Sequence, residues 1–400
     1  MCIVEELILI SRDKIENISS DFKRYLFAEL DWKQRLIGVK GARGTGKSTL
    51  LLQWLKENTL RHGEKIYMSL DDLFFSTNSL VQTATTFYKK GLRLLVLDEV
   101  HKYPTWHQEI KNLYDRYSDL QIVFTGSSII DLSKSMGDLS RRALMYELYG
   151  LSYREFLWMR HKIQFLPLTF FELLQEDTDW MSVFPRDFRP YQYWDDYLSF
   201  GYYPFALEDE VHFHSRLRQV VRMTVEYDMA ELRGFDIRHA KKMLQLITVI
   251  AQQVPFKPNI SSLAAKTNLH RNSIVNYLYF LQEARLIDQL LSQENSVATL
   301  QKPEKIYLDN PNLLFALSEK DPNIGTLRET FVNNQLKVRH HLSIPSKGDF
   351  MVDNNIVLEV GGKSKSKAQI ADLSNAYIVK DGIDFPLGNM IPIWMMGFLY

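Results

Sequence analysis

Between residues 35 and 150, short apolar runs alternate with amphipathic stretches, the texture of a parallel sheet whose strands are joined by crossover helices. The runs predict strands at 36–39, 66–70, 92–97, 121–125 and 144–148, with helices in most of the gaps. Beyond residue 151 the pattern lengthens into helical periods rich in aromatic residues, broken by TFFELL, FPRDFRP and YLSFGYYPFAL, which predicts a helical region with loops to about residue 254. The stretch 261–290, SSLAAKTNLHRNSIVNYLYFLQEARLIDQL, predicts helix, tight turn, helix. Its apolar face is expected to comprise Leu263, Ala264, Leu269, Ile274, Val275, Leu278, Leu281 and Leu286. A mixed unit with strand pairs follows, closing on IPIWMMGFLY, a ten-residue apolar segment whose length predicts a buried strand or helix.

Length changes the picture first. A chain of 400 residues exceeds the roughly 250–300 residues that one hydrophobic core sustains, so two to four domains are expected. The changes of texture, with Pro255, Pro258 and Pro303 near them, place borders at 1–150, 151–254, 255–310 and 311–400. An apolar fraction of 46% and a charged fraction of 24% are those of a folded protein. Lys plus Arg balances Asp plus Glu at 48 each, so global charge selects no partner and any nucleic-acid site must be a local basic patch. The single cysteine, Cys2, excludes an internal disulfide framework and a thiolate zinc site, and suits a reducing, cytoplasmic location. The opening MCIVEELILISRDK lacks the basic region of a signal peptide, and no apolar run reaches the roughly 18 residues of a membrane span, so no membrane association is expected.

Candidate chemistry concentrates in LIGVKGARGTGKSTLLLQWL. Gly41, Gly46, Lys47 and Ser48 stand in the G-x-x-x-x-G-K-[ST] spacing, between an apolar strand and an amphipathic helix. Backbone N–H groups of Gly41, Ala42, Arg43, Gly44, Thr45, Gly46, Lys47, Ser48 and Thr49 can wrap a phosphate where side chains do not block them. The helix that follows points its positive end at the anion. Lys47 is expected to reach the β- and γ-phosphates of a nucleoside triphosphate, and Ser48 to ligate Mg²⁺.

Two further segments fit a hydrolytic site. RLLVLDEVHK ends an apolar strand in Asp98 and Glu99, at the strand edge where nucleotides bind in open parallel sheets. Asp98 is expected to hold Mg²⁺ and Glu99 to polarise the attacking water. QIVFTGSSII ends in Thr125, Gly126, Ser127 and Ser128. A hydroxyl here, Ser127 in particular, either orients the water beside the γ-phosphate or caps the next helix. Arg141 and Arg142 in DLSRRALMYEL either neutralise charge in a neighbouring subunit's site, which requires a homo-oligomer, or are solvated surface residues.

Taken in order, GARGTGKST, LLVLDEVHK, FTGSS, the SRR segment, LSYREFL and YLSFGYYPFAL resemble the AAA+-like P-loop ATPases of archaea and bacteria that carry a C-terminal domain of unknown function. The resemblance spans the first half of the chain, and the second half matches more loosely. It implies an α/β fold of the additional-strand P-loop NTPase type, a parallel sheet with flanking helices, followed by a helical lid and a winged helix. It also implies hydrolysis of ATP with Mg²⁺. ATP rather than GTP rests on the resemblance and on the lack of an Asn-Lys-x-Asp segment.

The helix-turn-helix, with 293–308 as its wing, has the layout of a winged helix. His270, Arg271, Asn272 and Asn276 would then face the major groove of double-stranded DNA. Arg271 and Lys266 are its clear positive charges, so protein contact or nucleotide sensing remains the alternative. In the last unit, Glu329 on a helix and Asp349 and Glu359 on strands are arranged as in PD-(D/E)XK nucleases, which the segment resembles as an α+β nuclease-like domain. Lys363 stands four residues after Glu359 instead of two, with Gly361 and Gly362 between. That departure favours a nuclease-like unit with reduced or lost cleavage. The sequence thus leaves three functions in view: an ATPase switch or motor acting on DNA, a nucleotide-responsive binding regulator with little turnover, and an ATP-gated Mg²⁺-dependent nuclease.

Overall fold

The computed structural model describes residues 3–129, 139, 141–175, 178–229, 237–253, 260–292, 303–365 and 369–400. The chain divides into two compact units, 1–150 together with 226–236, and 151–225 together with 237–400.

In the first unit, alternation along each strand puts apolar side chains on both faces of one sheet. Leu94 and Val96 of β3 (Leu94–Asp98) enter one core while Leu95 and Leu97 enter the other. Val123 of β4 (Gln121–Ser127) is separated in the same way from Ile122 and Phe124. Strands buried on both faces must be parallel and helix-covered. Helices α1 (Ile3–Asn17), α2 (Leu26–Glu29), α3 (Lys47–Glu57), α4 (Leu80–Lys89) and α5 (Trp106–Arg116) supply that cover. With β1 (Leu36–Gly41), β2 (Lys65–Ser69) and β5 (Leu144–Glu147), the five strands pair in the order β2-β3-β4-β1-β5, all parallel. Strand β4 is therefore inserted between the loop-bearing β1 and the acid-bearing β3, as a P-loop NTPase sheet of the additional-strand type requires.

The second unit begins with helices rich in buried aromatics: α6 (Tyr153–His161), α7 (Phe170–Leu173), α8 (Trp180–Val183), α9 (Trp194–Phe200) and α10 (Phe213–Met223). Tyr153 meets Trp194 edge-on at 5.2 Å between ring centroids and Tyr197 at a tilt at 5.3 Å, while Trp194 and Tyr197 stack at 6.3 Å, so these three aromatics are core. Helix α11 (Ile237–Ala251) packs on α12 (Ile260–Thr267) and α13 (Arg271–Glu283). The antiparallel pair β6 (Ile287–Leu290) and β7 (Lys305–Leu308) follows. Of the expected wing, 293–302 lies outside the described residues.

After α14 (Pro311–Leu317) and α15 (Ile324–Leu336) comes a second sheet, in the order β12-β11-β10-β9-β8. Its members are β8 (Leu342–Ser343), β9 (Phe350–Val352), β10 (Ile356–Gly361), β11 (Ala376–Lys380) and β12 (Met390–Pro392). β8, β9 and β10 pair antiparallel, and β10, β11 and β12 pair parallel. The last apolar segment forms β12 and a 3-10 helix, Ile393–Phe398, buried throughout. Among the described residues, no helix is long and apolar enough to cross a membrane.

Candidate nucleotide site

The loop between β1 and α3 is shaped by its glycines. A Cβ on Gly41 would lie 2.3 Å from the Leu148 carbonyl oxygen, so only glycine lets the end of β1 pass there. Gly44 and Gly46 have φ of 85° and 93°, which L-residues other than glycine adopt at a cost. Gly46 caps α3, whose first turn carries Lys47, Ser48 and Thr49. The intervening Ala42, Arg43, Gly44 and Thr45 turn back on themselves through a bond from Thr45 Oγ1 to the Ala42 carbonyl at 2.9 Å. Buried Arg24 clamps the loop by donating to the main-chain oxygens of Thr45, Tyr149 and Gly150.

Lys47 is 6% exposed, and its Nζ donates to the carbonyls of Gly41 at 2.9 Å and Ala42 at 3.0 Å. Burial lowers its pKa, while Glu99, Asp98 and Asp228 work in the other direction. Ser48 is half-buried one residue further along, and Thr49 is exposed.

Strand β3 delivers Asp98 to the same edge of the sheet, 3% exposed. Its carboxylate accepts from the hydroxyls of Tyr67 on β2 and Thr125 on β4, and from the backbone N–H of Glu99 at 3.2 Å. Thr125 Oγ1 also accepts from that N–H, at 3.1 Å. Three adjacent strands thus lock one carboxylate. Glu99 then turns into the left-handed region, φ 52°, ψ 41°, a backbone choice costing about 1 kcal/mol or more for a non-glycine residue. Burial raises its pKa against the pull of Lys47.

Ser127 and Ser128 at the end of β4 are buried. The Ser127 N–H donates to Nδ1 of His101, and Ser127 Oγ accepts from the Ile129 N–H at 3.5 Å. Asp228 brings a further carboxylate, 3% exposed, into contact with Arg43 at 3.4 Å and Lys102 at 2.9 Å. Arg142 donates to Asp115 of its own chain at 2.9 Å, and Arg141 is exposed.

Tyr67, His101, Arg24 and Asp228 were not singled out from the sequence. His101 lies two residues after Glu99 in DEVHK, a position that could have drawn notice. Arg24 and Asp228 reach the loop from 21 and 185 positions away, with no local pattern to mark them.

The acidic residues expected near the C-terminus are arranged around lysines. Lys305 of β7 places Nζ 3.1 Å from Glu329 Oε2 and 3.2 Å from Asp349 Oδ1. Tyr307 donates to Glu329 at 2.8 Å, and the Val360 N–H to the other oxygen of Asp349 at 2.9 Å. Burial opposes the Lys305 charge, yet the two carboxylates hold its pKa above the ordinary value. Glu359 pairs with Lys365, and Lys363 is exposed with its side chain along Gly382, so the lysine at the carboxylate is the sixth residue after Glu359 and not the fourth. The cause is the turn after β10, which carries Lys365 back over Gly361. Among the described residues, no three His, Cys, Asp or Glu side chains gather so as to hold a metal.

Replacing Lys305 with alanine removes two charge-assisted contacts and leaves two carboxylates facing one another. A loss of about 2 kcal/mol is expected, read as a fall in the urea midpoint at unchanged slope. An unaltered midpoint would show that the two carboxylates do not need this cation.

On α13, Arg271, Asn272 and Asn276 are exposed, and His270 caps the helix by accepting from the Asn272 N–H at 3.4 Å. The expected apolar face needs one correction. Val275 is 38% exposed and sits beside Tyr279 on the outer side, because the buried stripe runs through Ile274, Tyr277, Leu278 and Leu281. Asn272, Val275, Asn276 and Tyr279 line a groove of about 680 Å³ that β6 closes with Gln289.

Comparison with known proteins bears on these segments separately. Residues 33–157 match the model of the AAA domain. Residues 191–323 match a domain of unknown function, DUF8612. The "Uncharacterized protein MJ1637" of Methanocaldococcus jannaschii is 28% identical over 405 aligned residues, covering 92% of this chain and 85% of that protein. AMPPCP-bound DnaA from Aquifex aeolicus aligns at 14% identity and a TM-score of 0.27, over 68% of this chain and 86% of that one. PCH-2 of C. elegans aligns at 14% and 0.26, over 69% and 67%. Superpositions this loose add nothing to the strand order and the domain match. The segment that matches the AAA domain model contains the loop, the Asp98–Glu99 edge and the strand between them.

Proposed function

We propose that the chain is a Mg²⁺-dependent, ATP-hydrolysing switch or motor that acts on double-stranded DNA through its second unit. One observation carries the ATPase part: Lys47 and Ser48 at the head of α3, Asp98 and Glu99 at the end of β3, and Thr125 and Ser127 at the end of β4 converge on one edge of a P-loop sheet. The hydroxyl of Ser48 and the carboxylate of Asp98 are oxygen donors of the kind Mg²⁺ prefers, and such an ion neutralises charge on the β- and γ-phosphates. Lys47 exchanges the loop carbonyls for phosphate oxygens. Glu99 takes the proton of the water that attacks the γ-phosphorus as the β–γ bridge breaks, and Ser127 orients that water. Of the two arginines, Arg141 is the one we assign to a second copy's site, since Arg142 is engaged with Asp115.

The order α12, tight turn, α13, β6, β7 supports a winged helix, and the exposed His270, Arg271, Asn272 and Asn276 support α13 as its recognition helix. The sheet β8–β12 with α15 against it supports a nuclease-like unit, and the lysines on Glu329, Asp349 and Glu359 favour one that does not cleave. The deciding measurement is the ATPase rate with and without duplex DNA. Turnover that DNA stimulates is expected; turnover no faster than spontaneous hydrolysis would leave a nucleotide-responsive regulator in its place. Duplex affinity is expected to fall steeply with salt, and no binding at low salt would remove DNA. Plasmid incubated with Mg²⁺ or Mn²⁺ is expected to stay intact with the wild type and with Asp349→Ala alike.

A further inference from the structure

The side chain of His101 is 2% exposed, on the 3-10 turn Val100–Lys102 that follows Glu99. A buried imidazole in a charged site needs both ring nitrogens satisfied, and here each faces a different strand end. Nδ1 lies 3.3 Å from the backbone N of Ser127, which is a donor only, so Nδ1 must be the unprotonated acceptor. The ring is neutral, because burial drives its pKa down to about 4, with Lys102, Lys47 and Arg43 adding to that effect and Asp228 opposing it. The proton of a neutral ring whose Nδ1 accepts is on Nε2. That nitrogen lies 3.4 Å from Oε2 of Glu99.

We propose that His101 is the positioning residue of Glu99: Nε2–H holds one carboxylate oxygen of Glu99 while the Ser127 N–H anchors the ring through Nδ1. The inference rests on Glu99 being the hydrolytic base. It adds a mechanical link between that base and the end of β4. Glu99 stands on a strained left-handed residue and is held to the fold through its backbone N–H, with contacts to Asp98 and Thr125. Its side chain, 27% exposed, therefore needs a separate restraint if one oxygen is to point at the attacking water. His101 supplies that restraint and leaves the other oxygen available to take the proton. A displacement of Ser127 by the γ-phosphate would travel through one rigid ring to the carboxylate.

Two substitutions separate the two contacts. The amide of glutamine reaches the place of Nε2 and that of asparagine the place of Nδ1. His101→Asn keeps an acceptor for Ser127 and loses the donor to Glu99. His101→Gln keeps the donor and loses the acceptor. ATP turnover is expected to fall about a hundredfold in His101→Asn with KM and nucleotide Kd nearly unchanged, as misplacement of a catalytic group by about 1 Å can cost that much. His101→Gln is expected to recover most of the loss. Adding His101→Asn to Glu99→Gln is expected to cost nothing further, because the histidine acts through the glutamate.

Full turnover in His101→Asn, or losses that multiply in the double variant, would overturn the proposal. A structural role alone would move the thermal midpoints of both variants and leave the double variant additive. The ring itself gives a readout independent of hydrolysis, so failure of the ATPase assignment is told apart from failure of this one. Nitrogen-15 shifts of His101 in the full chain, assigned with His101→Asn, are expected to show the proton on Nε2 and a change at that nitrogen in Glu99→Gln. A proton on Nδ1, or a ring indifferent to Glu99→Gln, would overturn it even in a protein without turnover.

Discussion

Replacing Lys47 with alanine is expected to abolish ATP binding at concentrations that saturate the wild type. The Lys47 Nζ is held among loop carbonyls, at 2.9 Å from Gly41 and 3.0 Å from Ala42, so it meets a phosphate already oriented and already stripped of most of its water. Exchanging those neutral acceptors for phosphate oxygens strengthens each bond, and hydrogen bonds involving charged groups contribute about 1.5–3 kcal/mol each. Two such bonds correspond to more than roughly a hundredfold in Kd. Titration with a fluorescent ATP analogue measures it, and thermal melting of the variant checks that the fold persists. The check matters because the ammonium also compensates Glu99, Asp98 and Asp228, which would otherwise face one another across a buried site. An arginine at this position is not expected to restore binding, since its planar fork does not fit the space of a compact ammonium. An unchanged Kd in Lys47→Ala would remove the loop from the function altogether.

The reason this loop was legible is that its constraints are local. Gly41, Gly46 and Lys47 act through backbone conformations and a helix terminus fixed within a few residues, so spacing carries the geometry. The acidic pair was legible because an apolar strand must end where its two carboxylates begin. Boundaries were less so. The run 92–97 predicts a strand from its first leucine, but Leu92 is buried as the closure of the turn after α4, its N–H bonded to Phe87, and pairing begins at Leu94.

What depends on contacts between distant parts of the chain was hidden. The insertion of β4 between β1 and β3 was expected from the family resemblance alone, because apolar alternation does not record pairing partners. Asp228 closes on Arg43 from 185 positions away and Lys305 on Asp349 from 44. Lys363 has the better spacing to Glu359 on a straight strand, and Lys365 has the contact because the chain bends. Val275 fits the helical period and still faces outward, since the buried stripe of α13 is filled by Tyr277 and Leu278.

Replacing Glu99 with glutamine is expected to leave ATP binding intact and to lower turnover by about 10²–10⁴-fold, the range for removing a general base. The substitution keeps the shape and the acceptor oxygen that His101 Nε2–H meets at 3.4 Å in the wild type, so the site is not dismantled. What disappears is the ability to accept a proton. Burial holds the Glu99 carboxyl above its ordinary pKa against the pull of Lys47, which makes it a stronger base than a solvated glutamate. Single-turnover phosphate release separates this effect from slow product dissociation. Wild-type rates in Glu99→Gln would sink its assignment as the base.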